Sequence, residues 1–337
     1  MILTLKPGIK KSQVDVISKK IRDLGLTPHL SHGAVRTIIG VIGEEEYKFK
    51  ETLEALDGVE SATPILKPYK LVGREFRKEN TVIDVKGTKI GGQQVVVMAG
   101  PCSVDTKDNL LVCARAVKKA GAHFLRGGAF KPRTSPYAFQ GHGEPALKYL
   151  AEARKITGLP VVTEVMDTRQ VDLVCRYADV LQIGARNAQN FDLLKEVGQC
   201  KKPVMLKRGM ANTIEEWLMS AEYIVSKGNR NVFFCERGIR TFETSTRFTM
   251  DINAIPTLKH LSHLPVILDP SHGVGVRDYI PAIALACIAA GADGVMIEVH
   301  PKPTEALSDG PQALLPVLFE RLMMDMTKVA FAVGRTM

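Results

Sequence analysis

The pattern of apolar and polar positions changes its rhythm near residue 95. Before that point, "ILTLK" reads as a short strand, and "KSQVDVISKKIRDLG" sets Val14, Ile17, Ile21 and Leu24 three and four apart, predicting an amphipathic helix that stops near Gly25. "PHLS", a His-Gly turn and "VRTIIGVIG" predict a hairpin. "EEEYKFKETLEAL" predicts a second helix, with acids in its first turn where the helix dipole favours them, and "VESATPIL" a last strand. The order βαββαβ is the ferredoxin-like arrangement. A unit of this kind serves either as a stabilising appendage or as a ligand-sensing regulatory module, and the pattern fits both.

Residues 68–80, "PYKLVGREFRKEN", lack an apolar period and read as a charged linker, and "TVIDVKGTKIGG" reads as a small hairpin turning at Lys86-Gly87. From residue 95, apolar runs of about five residues alternate with helical patterns. The runs are "VVVMAG", "HFLRGG", "VVTEVM", "DVLQIG", "PVMLKRG", "NVFFCERG", "PVILDPS" and "GVMIEVH". Helix candidates between them include 107–120, 145–157 and 213–227, the last opening on an Asn212-x-x-Glu215 capping box; an eighth follows the final strand. Eight strand-helix units predict an α/β fold, the (β/α)8 TIM barrel, preceded by the small βαββαβ domain. A doubly wound open sheet is the alternative, but it usually carries a Gly-rich phosphate loop, and neither GxGxxG nor GxxxxGK[ST] occurs. The expected domains are 1–70, a linker and hairpin over 71–94, and the barrel over 95–337.

Composition narrows the function. No apolar stretch approaches the roughly 20 residues needed to cross a bilayer, and "MILTLKPGIKK" lacks the long apolar core of a secretion signal, so a cytoplasmic location is expected. The six cysteines form no CxxC pair, which fits a reducing compartment. The net charge is +9, of which the first 70 residues carry +2. Without a block of basic residues or interleaved aromatics, that charge points to anionic small molecules ahead of nucleic acid.

Reactive groups of such barrels sit where the strands end. There this chain has Cys102, Arg126, Glu164, Ala185-Arg186-Asn187, Lys207-Arg208, Glu236-Arg237, His272 and Glu298-Val299-His300. Cys102, His272 and Glu298 come from strands that become neighbours on closure, and Asp309 in "ALSDG" follows on the last loop. Thiolate, imidazole and two carboxylates suit a divalent Mn, Fe, Co or Zn ion; a buried inert thiol is the competing reading of Cys102. His300 is as readily a structural histidine or an outer partner. Arg126, Lys131, Arg133, Arg186, Lys207 and Arg237 ring the same mouth and predict phosphate or carboxylate binding. Any one of them in isolation reads as a solvated or salt-bridged residue; the six together do not.

"AGPCS", "LRGGAFKPRTSPYAFQG", "TEV", "QIGARNAQNF", "LKRG", "CERGIRTFE", "DPSHG", "EVHP" and "ALSDG" occur in the order, and closely resemble the motifs, of the type I beta class of 3-deoxy-D-arabino-heptulosonate 7-phosphate (DAHP) synthases. The likeness spans residues 80–337. Residues 1–70 resemble, on a weaker pattern around "RTIIGVIG", the ferredoxin-like regulatory domain of some members. The resemblance implies condensation of phosphoenolpyruvate with erythrose 4-phosphate, the first step of the shikimate route. It implies one divalent metal ion on Cys102, His272, Glu298 and Asp309. Around phosphoenolpyruvate it implies Arg126, Lys131, Lys207, Arg237, Arg186 and the backbone at Ala185, with Glu164 in the polar network beside it. Pro132, Arg133, Thr134 and Ser135 are implied for the aldose phosphate, with Asn187 and Asp269 orienting that substrate. Lys131, Glu164, Lys207 and His272 are the implied catalytic groups, and Glu164 and Lys207 are both candidates for handling the proton of the attacking water. Tyrosine or phenylalanine as feedback inhibitors and a homotetramer are implied too, with neither nucleic acid nor membrane as partner. The alternative is 3-deoxy-D-manno-octulosonate 8-phosphate synthase, whose loop typically reads "KANRS" where this chain has "KPRTS" at 131–135.

Overall fold

The computed structural model describes residues 1–32, 36–43, 46–64 and 67–337. The expected turn after His32, the opening acids of the second helix (44–45) and the end of "VESATPIL" (65–66) fall on residues outside those described. Two compact units emerge, Met1–Asn80 with Leu261–His263, and Thr81–His260 with Leu264–Met337.

The first unit runs β1 (Ile2–Leu5), α1 (Lys11–Asp23), β2 (Thr27–His32), β3 (Thr37–Ile42), α2 (Lys50–Glu54) and β4 (Val59–Thr63). Its antiparallel sheet has the order β2-β3-β1-β4. The βαββαβ reading therefore holds. As the spacing predicts, α1 buries Val14, Ile17 and Ile21 against Leu3, Ile39 and Val41. The second helix is shorter than expected: a 3-10 turn at Glu46–Phe49 leads into only five α-helical residues. Only Leu53 of α2 is buried, so little apolar surface rewards a longer helix. Tyr69, Leu71, Val72 and Phe76, in the stretch without visible period, are buried, and Phe76 and Leu71 fill the space over Gly40 of β3.

In the second unit a hairpin, β5 (Ile83–Val85) and β6 (Thr88–Ile90), precedes eight parallel strands: β7 (Val96–Gly100), β8 (Phe124–Arg126), β9 (Val161–Glu164), β10 (Val180–Ile183), β11 (Val204–Lys207), β12 (Val232–Glu236), β13 (Val266–Leu268) and β14 (Gly294–Glu298). They close into a barrel, β14 pairing with β7, so the open sheet is excluded. The eight expected strands correspond to these eight. Between and after them run α3 (Lys107–Lys119), α4 (Glu144–Thr157), α5 (Val171–Tyr177), α6 (Phe191–Gln199), α7 (Ile214–Ser226), α8 (Ala254–Leu261), the short α9 (Pro270–Val274), α10 (Ile280–Ala289) and α11 (Pro316–Ala332). The capping box of α7 is one residue later than expected. Thr213 and Glu216 satisfy each other's backbone N–H groups, at 3.2 and 2.8 Å. Asn212-x-x-Glu215 and Thr213-x-x-Glu216 fit the same template, and sequence alone does not separate them. Among the described residues no helix is long and apolar enough to cross a membrane.

Strands buried on both faces explain the near-continuous apolar runs. Met98, Phe124, Val162, Met205, Phe233 and Met296 fill the barrel, joined by Ile83, Val85 and Ile90 of the hairpin. Asp179, just before β10, ties that end together. It accepts from Val161 N, Arg154 Nη1 and Lys86 Nζ, each at 2.9 Å. Burial works against its charge, yet the Val161 N–H, Arg154 and Lys86 outweigh burial and hold its carboxyl below the ordinary value. A carboxylate depressed on folding stabilises above its unfolded pKa of about 4, and that contribution is lost as pH falls through the folded value. Asp179→Ala is expected to cost about 2–3 kcal/mol at pH 7 in urea unfolding, and the gap to the parent protein is expected to narrow below about pH 4.

Candidate functional site

The constraint begins at Gly100. Its φ of +152° and the 2.1 Å that would separate a Cβ there from the Arg126 carbonyl oxygen leave room only for glycine. The chain then turns through Pro101 and delivers Cys102, 3% exposed, to the end of the barrel where the strands finish. In the closing pair Glu298 lies in register with Gly100, which brings the last strand's acid beside the thiol. His272 comes from α9 after β13, and Asp309 from the loop after β14. One ligating atom from each of the four lies within 4.8 Å of the others.

Asp269 prepares the imidazole. Its Oδ1 accepts from His272 N at 3.1 Å and its Oδ2 lies 2.7 Å from His272 Nδ1 and 2.5 Å from Lys207 Nζ. Burial opposes its ionisation, but His272 and Lys207 hold its carboxyl well below the usual range. An ionised partner keeps the imidazole proton on Nδ1 and leaves the Nε2 lone pair toward Glu298 Oε1, 3.3 Å away. Burial and the Glu298 charge push the Cys102 thiol up to about 12. The sulfur nevertheless touches Lys131 Nζ at 2.9 Å and Asp309 Oδ2 at 3.0 Å. One sulfur, one imidazole nitrogen and two carboxylates, gathered from distant segments, are the donors expected for a first-row divalent ion, and the set fits such an ion.

A cavity of about 350 Å³ opens beside this cluster. All six expected cations, Arg126, Lys131, Arg133, Arg186, Lys207 and Arg237, line it, as do Pro132, Thr134, Ser135, Ala185 and Glu164. Two buried atoms of its lining residues have no partner: Arg126 Nε and Glu164 Oε1. Arg126 spends Nη1 on the Pro101 carbonyl (2.7 Å) and Glu298 (3.1 Å), and its Nε is left unpartnered. Gln182 holds Glu164 Oε2 at 3.0 Å. Burial raises the Glu164 carboxyl above the ordinary range, against Lys131 and Lys207. Unpartnered buried polar atoms are costly and point to a polar occupant.

Besides Glu298, which lies behind the wall in the donor cluster, two expected residues are not in the cavity wall. Asp269, fully buried, is consumed by Lys207 and His272, and Asn187 faces a neighbouring hollow and reaches Met166 O at 3.4 Å. His300 is structural: Nδ1 accepts from Lys302 N at 3.0 Å and Nε2 meets Asp105 at 2.9 Å. Arg208 and Glu236 pair with each other at 3.0 Å. The expectations omitted Gln182, Arg247 and Gln312. Gln182 was detectable as a polar residue interrupting the apolar run "VLQIG"; the other two lie in loops without period.

A closed parallel barrel that presents a mixed S, N and O donor set beside an anion pocket defines a class of enzyme acting on phosphorylated or carboxylated substrates. The comparisons name the family. The profile described as DAHP synthetase I family matches residues 78–332, and that described as DAHP synthase ferredoxin-like domain matches residues 1–67. The chain belongs to the DAHP synthetase I family. It is 50% identical over 334 residues to phospho-2-dehydro-3-deoxyheptonate aldolase of Thermotoga maritima, covering 99% of each. The crystal structure of that Thermotoga enzyme superposes with a TM-score of 0.80, over 99% of this chain and 98% of the other. A truncated form of the Thermotoga synthase, 48% identical, covers 80% of this chain and 98% of its own with a TM-score of 0.75. A 2-dehydro-3-deoxyphosphooctonate aldolase of Syntrophobacter fumaroxidans is 33% identical over 68% of this chain and 85% of its own.

The Glu164 carboxylate also depends on Gly184, where a Cβ would stand 2.0 Å from Oε1. Gly184→Ala is expected to displace that carboxylate, lower kcat about 100-fold and cost about 1–3 kcal/mol of stability; steady-state kinetics alongside thermal unfolding check both.

Proposed function

We propose that this chain joins phosphoenolpyruvate to erythrose 4-phosphate, giving 3-deoxy-D-arabino-heptulosonate 7-phosphate and phosphate. The observation that carries the reading is the cationic cavity, with an unpartnered Arg126 Nε and Glu164 Oε1, directly beside the four convergent donors. Membership of the family and the match along nearly the whole Thermotoga enzyme support it.

In this reading Arg126, Lys131, Lys207, Arg237 and Arg186, with the backbone at Ala185, hold the phosphate and carboxylate of phosphoenolpyruvate. Pro132 to Ser135 receive the aldose phosphate. Asp269 acts indirectly, by fixing Lys207 and His272, and Asn187 acts from the neighbouring hollow. Cys102, His272, Glu298 and Asp309 would hold one divalent cation, which would supply Lewis-acid polarisation of the aldehyde oxygen. C3 of phosphoenolpyruvate bonds to the aldehyde carbon, and the aldehyde oxygen takes up a proton. Lys131, the ammonium nearest the donor cluster, is suited to give it. Water then adds at C2 and loses one proton, and phosphate leaves with the bridging oxygen, taking up the second proton as the C2 hydroxyl becomes the ketone. Glu164 is the better base for that water because one of its oxygens is unpartnered, whereas Lys207 is engaged by Asp269.

The octulosonate alternative is weaker, since its relatives match at lower identity and over less of the chain. Incubation with phosphoenolpyruvate and each aldose phosphate is expected to give product with erythrose 4-phosphate, lost on chelation and restored by divalent ions. Product from arabinose 5-phosphate alone, or full turnover after verified metal removal, contradicts the reading. Glu164→Gln is expected to lower kcat about 10²–10⁴-fold and to remove the acidic limb of its pH profile. For residues 1–70 we propose regulation by tyrosine or phenylalanine in a homotetramer, on the strength of the matching ferredoxin-like profile. Deleting them is expected to leave an active enzyme that neither amino acid inhibits; an intact protein indifferent to both rejects that role.

A further inference from the structure

Four convergent donors leave open how the two carboxylates are aimed. Each has two oxygens, and a carboxylate free to rotate would lose entropy on binding an ion and could offer either atom. Here the oxygens divide by role. Glu298 Oε1 faces the cluster, 3.3 Å from His272 Nε2 and 3.1 Å from Arg126 Nη1, while Oε2 accepts from Gln312 Nε2 at 2.7 Å. Asp309 Oδ2 lies 3.0 Å from Cys102 Sγ, while Oδ1 accepts from Arg247 Nη1 at 3.2 Å. The same Arg247 nitrogen donates to Gln312 Oε1 at 2.9 Å. One unbroken chain, Asp309 to Arg247 to Gln312 to Glu298, therefore holds the outward oxygen of both acids.

The chemistry of each link is specific. Gln312 must accept from a guanidinium at one atom and donate to a carboxylate at the other, which an amide does and neither an acid nor an apolar side chain can. These two partners also fix which amide atom is oxygen. Gln312 is 3% exposed and absent from the cavity wall, so it cannot act by touching substrate. The loop around it is held in turn. Arg277 donates to the carbonyls of Ala313 at 2.6 Å and Gly310 at 3.0 Å, on either side of Gln312. Asp309 itself sits at φ +50°, a left-handed conformation that aspartate tolerates better than most residues and that such bracing keeps occupied. Arg247 is anchored through its own backbone N–H to Val274 O at 3.0 Å, on the short helix that carries His272. Its side chain is about one-third exposed, so screened charge attraction alone is weak and the fixed geometry of the chain is what matters.

We propose that Arg247 and Gln312 are positioning residues that lock the outward oxygens of Asp309 and Glu298, leaving one oxygen of each, with Cys102 and His272, for a single divalent cation. This rests on the reading of those four residues as ligands. The next residue, Phe248, carries the Arg237 guanidinium over its ring at 4.1 Å, so the same loop braces a cation of the substrate pocket. Arg247 lines the cavity as well, which makes Gln312 the cleaner probe.

The test is equilibrium cobalt(II) binding by the full-length metal-free protein, read by competition with a chromophoric chelator and by the thiolate-to-cobalt absorption band. Arg247→Ala and Gln312→Leu are each expected to weaken cobalt binding about 10–100-fold and to alter the cobalt d–d bands at saturation. The double variant is expected to lose more than either single one but less than their sum, because each residue holds its own carboxylate directly and steadies the other. Phosphoenolpyruvate binding to metal-free Gln312→Leu should stay near the parent value, which a general loss of structure would not allow. If Gln312→Leu does not fold, Arg247→Ala, in a partly exposed loop position, decides. Cobalt affinity within twofold of the parent in the folded variants, or fully additive losses, overturns the proposal while leaving the ligand assignment standing. A parent protein that binds no stoichiometric cobalt overturns both.

Discussion

The pairing of the last barrel strand with the first is the constraint on which the site depends. The β14–β7 register sets Glu298 opposite Gly100, two residues before Cys102. A one-residue slip in that pair would turn Glu298 to the other face of the sheet, because side chains alternate along a strand. Closure also brings α9 of the seventh unit beside the first, so His272 arrives within reach of a thiol 170 positions earlier in the chain. Gly100 then makes the turn that a side chain would forbid. The chemistry is thus a property of ring closure, and no local segment contains it.

Electrostatics explains why so many charges can be buried together. Glu298 has Arg126, Asp269 has Lys207 and Asp309 has Arg247, each within 3.2 Å. Paired charges of this kind contribute little net stability, since desolvation offsets most of the attraction. Their value lies in orientation: each pair fixes a group that the cavity or the donor cluster uses. The exceptions, Glu164 Oε1 and Arg126 Nε, are left without partners where a polar occupant would meet them. Among the described residues these two are the charged side chains with a buried unpartnered atom, and both belong to the site.

Much of this was legible in the sequence because parallel barrel strands are buried on both faces and read as short continuous apolar runs. The polar residue that ends each run is then exceptional, which is how Cys102, Glu164, Lys207 and Glu298 stood out. The helix of the first unit was legible from the spacing of Val14, Ile17 and Ile21. What was not legible lies where no period operates. Arg247 sits within the long stretch between β12 and α8, and Gln312 in a 3-10 turn, so nothing in their neighbours sets their direction. Asp269 was expected only from the resemblance, and its burial beneath Lys207 and His272 depends on the tertiary arrangement. The capping box of α7 shifted by one residue because two overlapping templates were equally good.

The central claim is that one sulfur, one imidazole nitrogen and two carboxylate oxygens share a single ion. X-ray absorption at the metal edge of zinc-loaded protein tests it most directly. The account predicts one sulfur scatterer at about 2.3 Å with nitrogen and oxygen scatterers at about 2.0–2.2 Å, and loss of the sulfur shell in Cys102→Ser. A first shell of nitrogen and oxygen alone in the parent protein would contradict it.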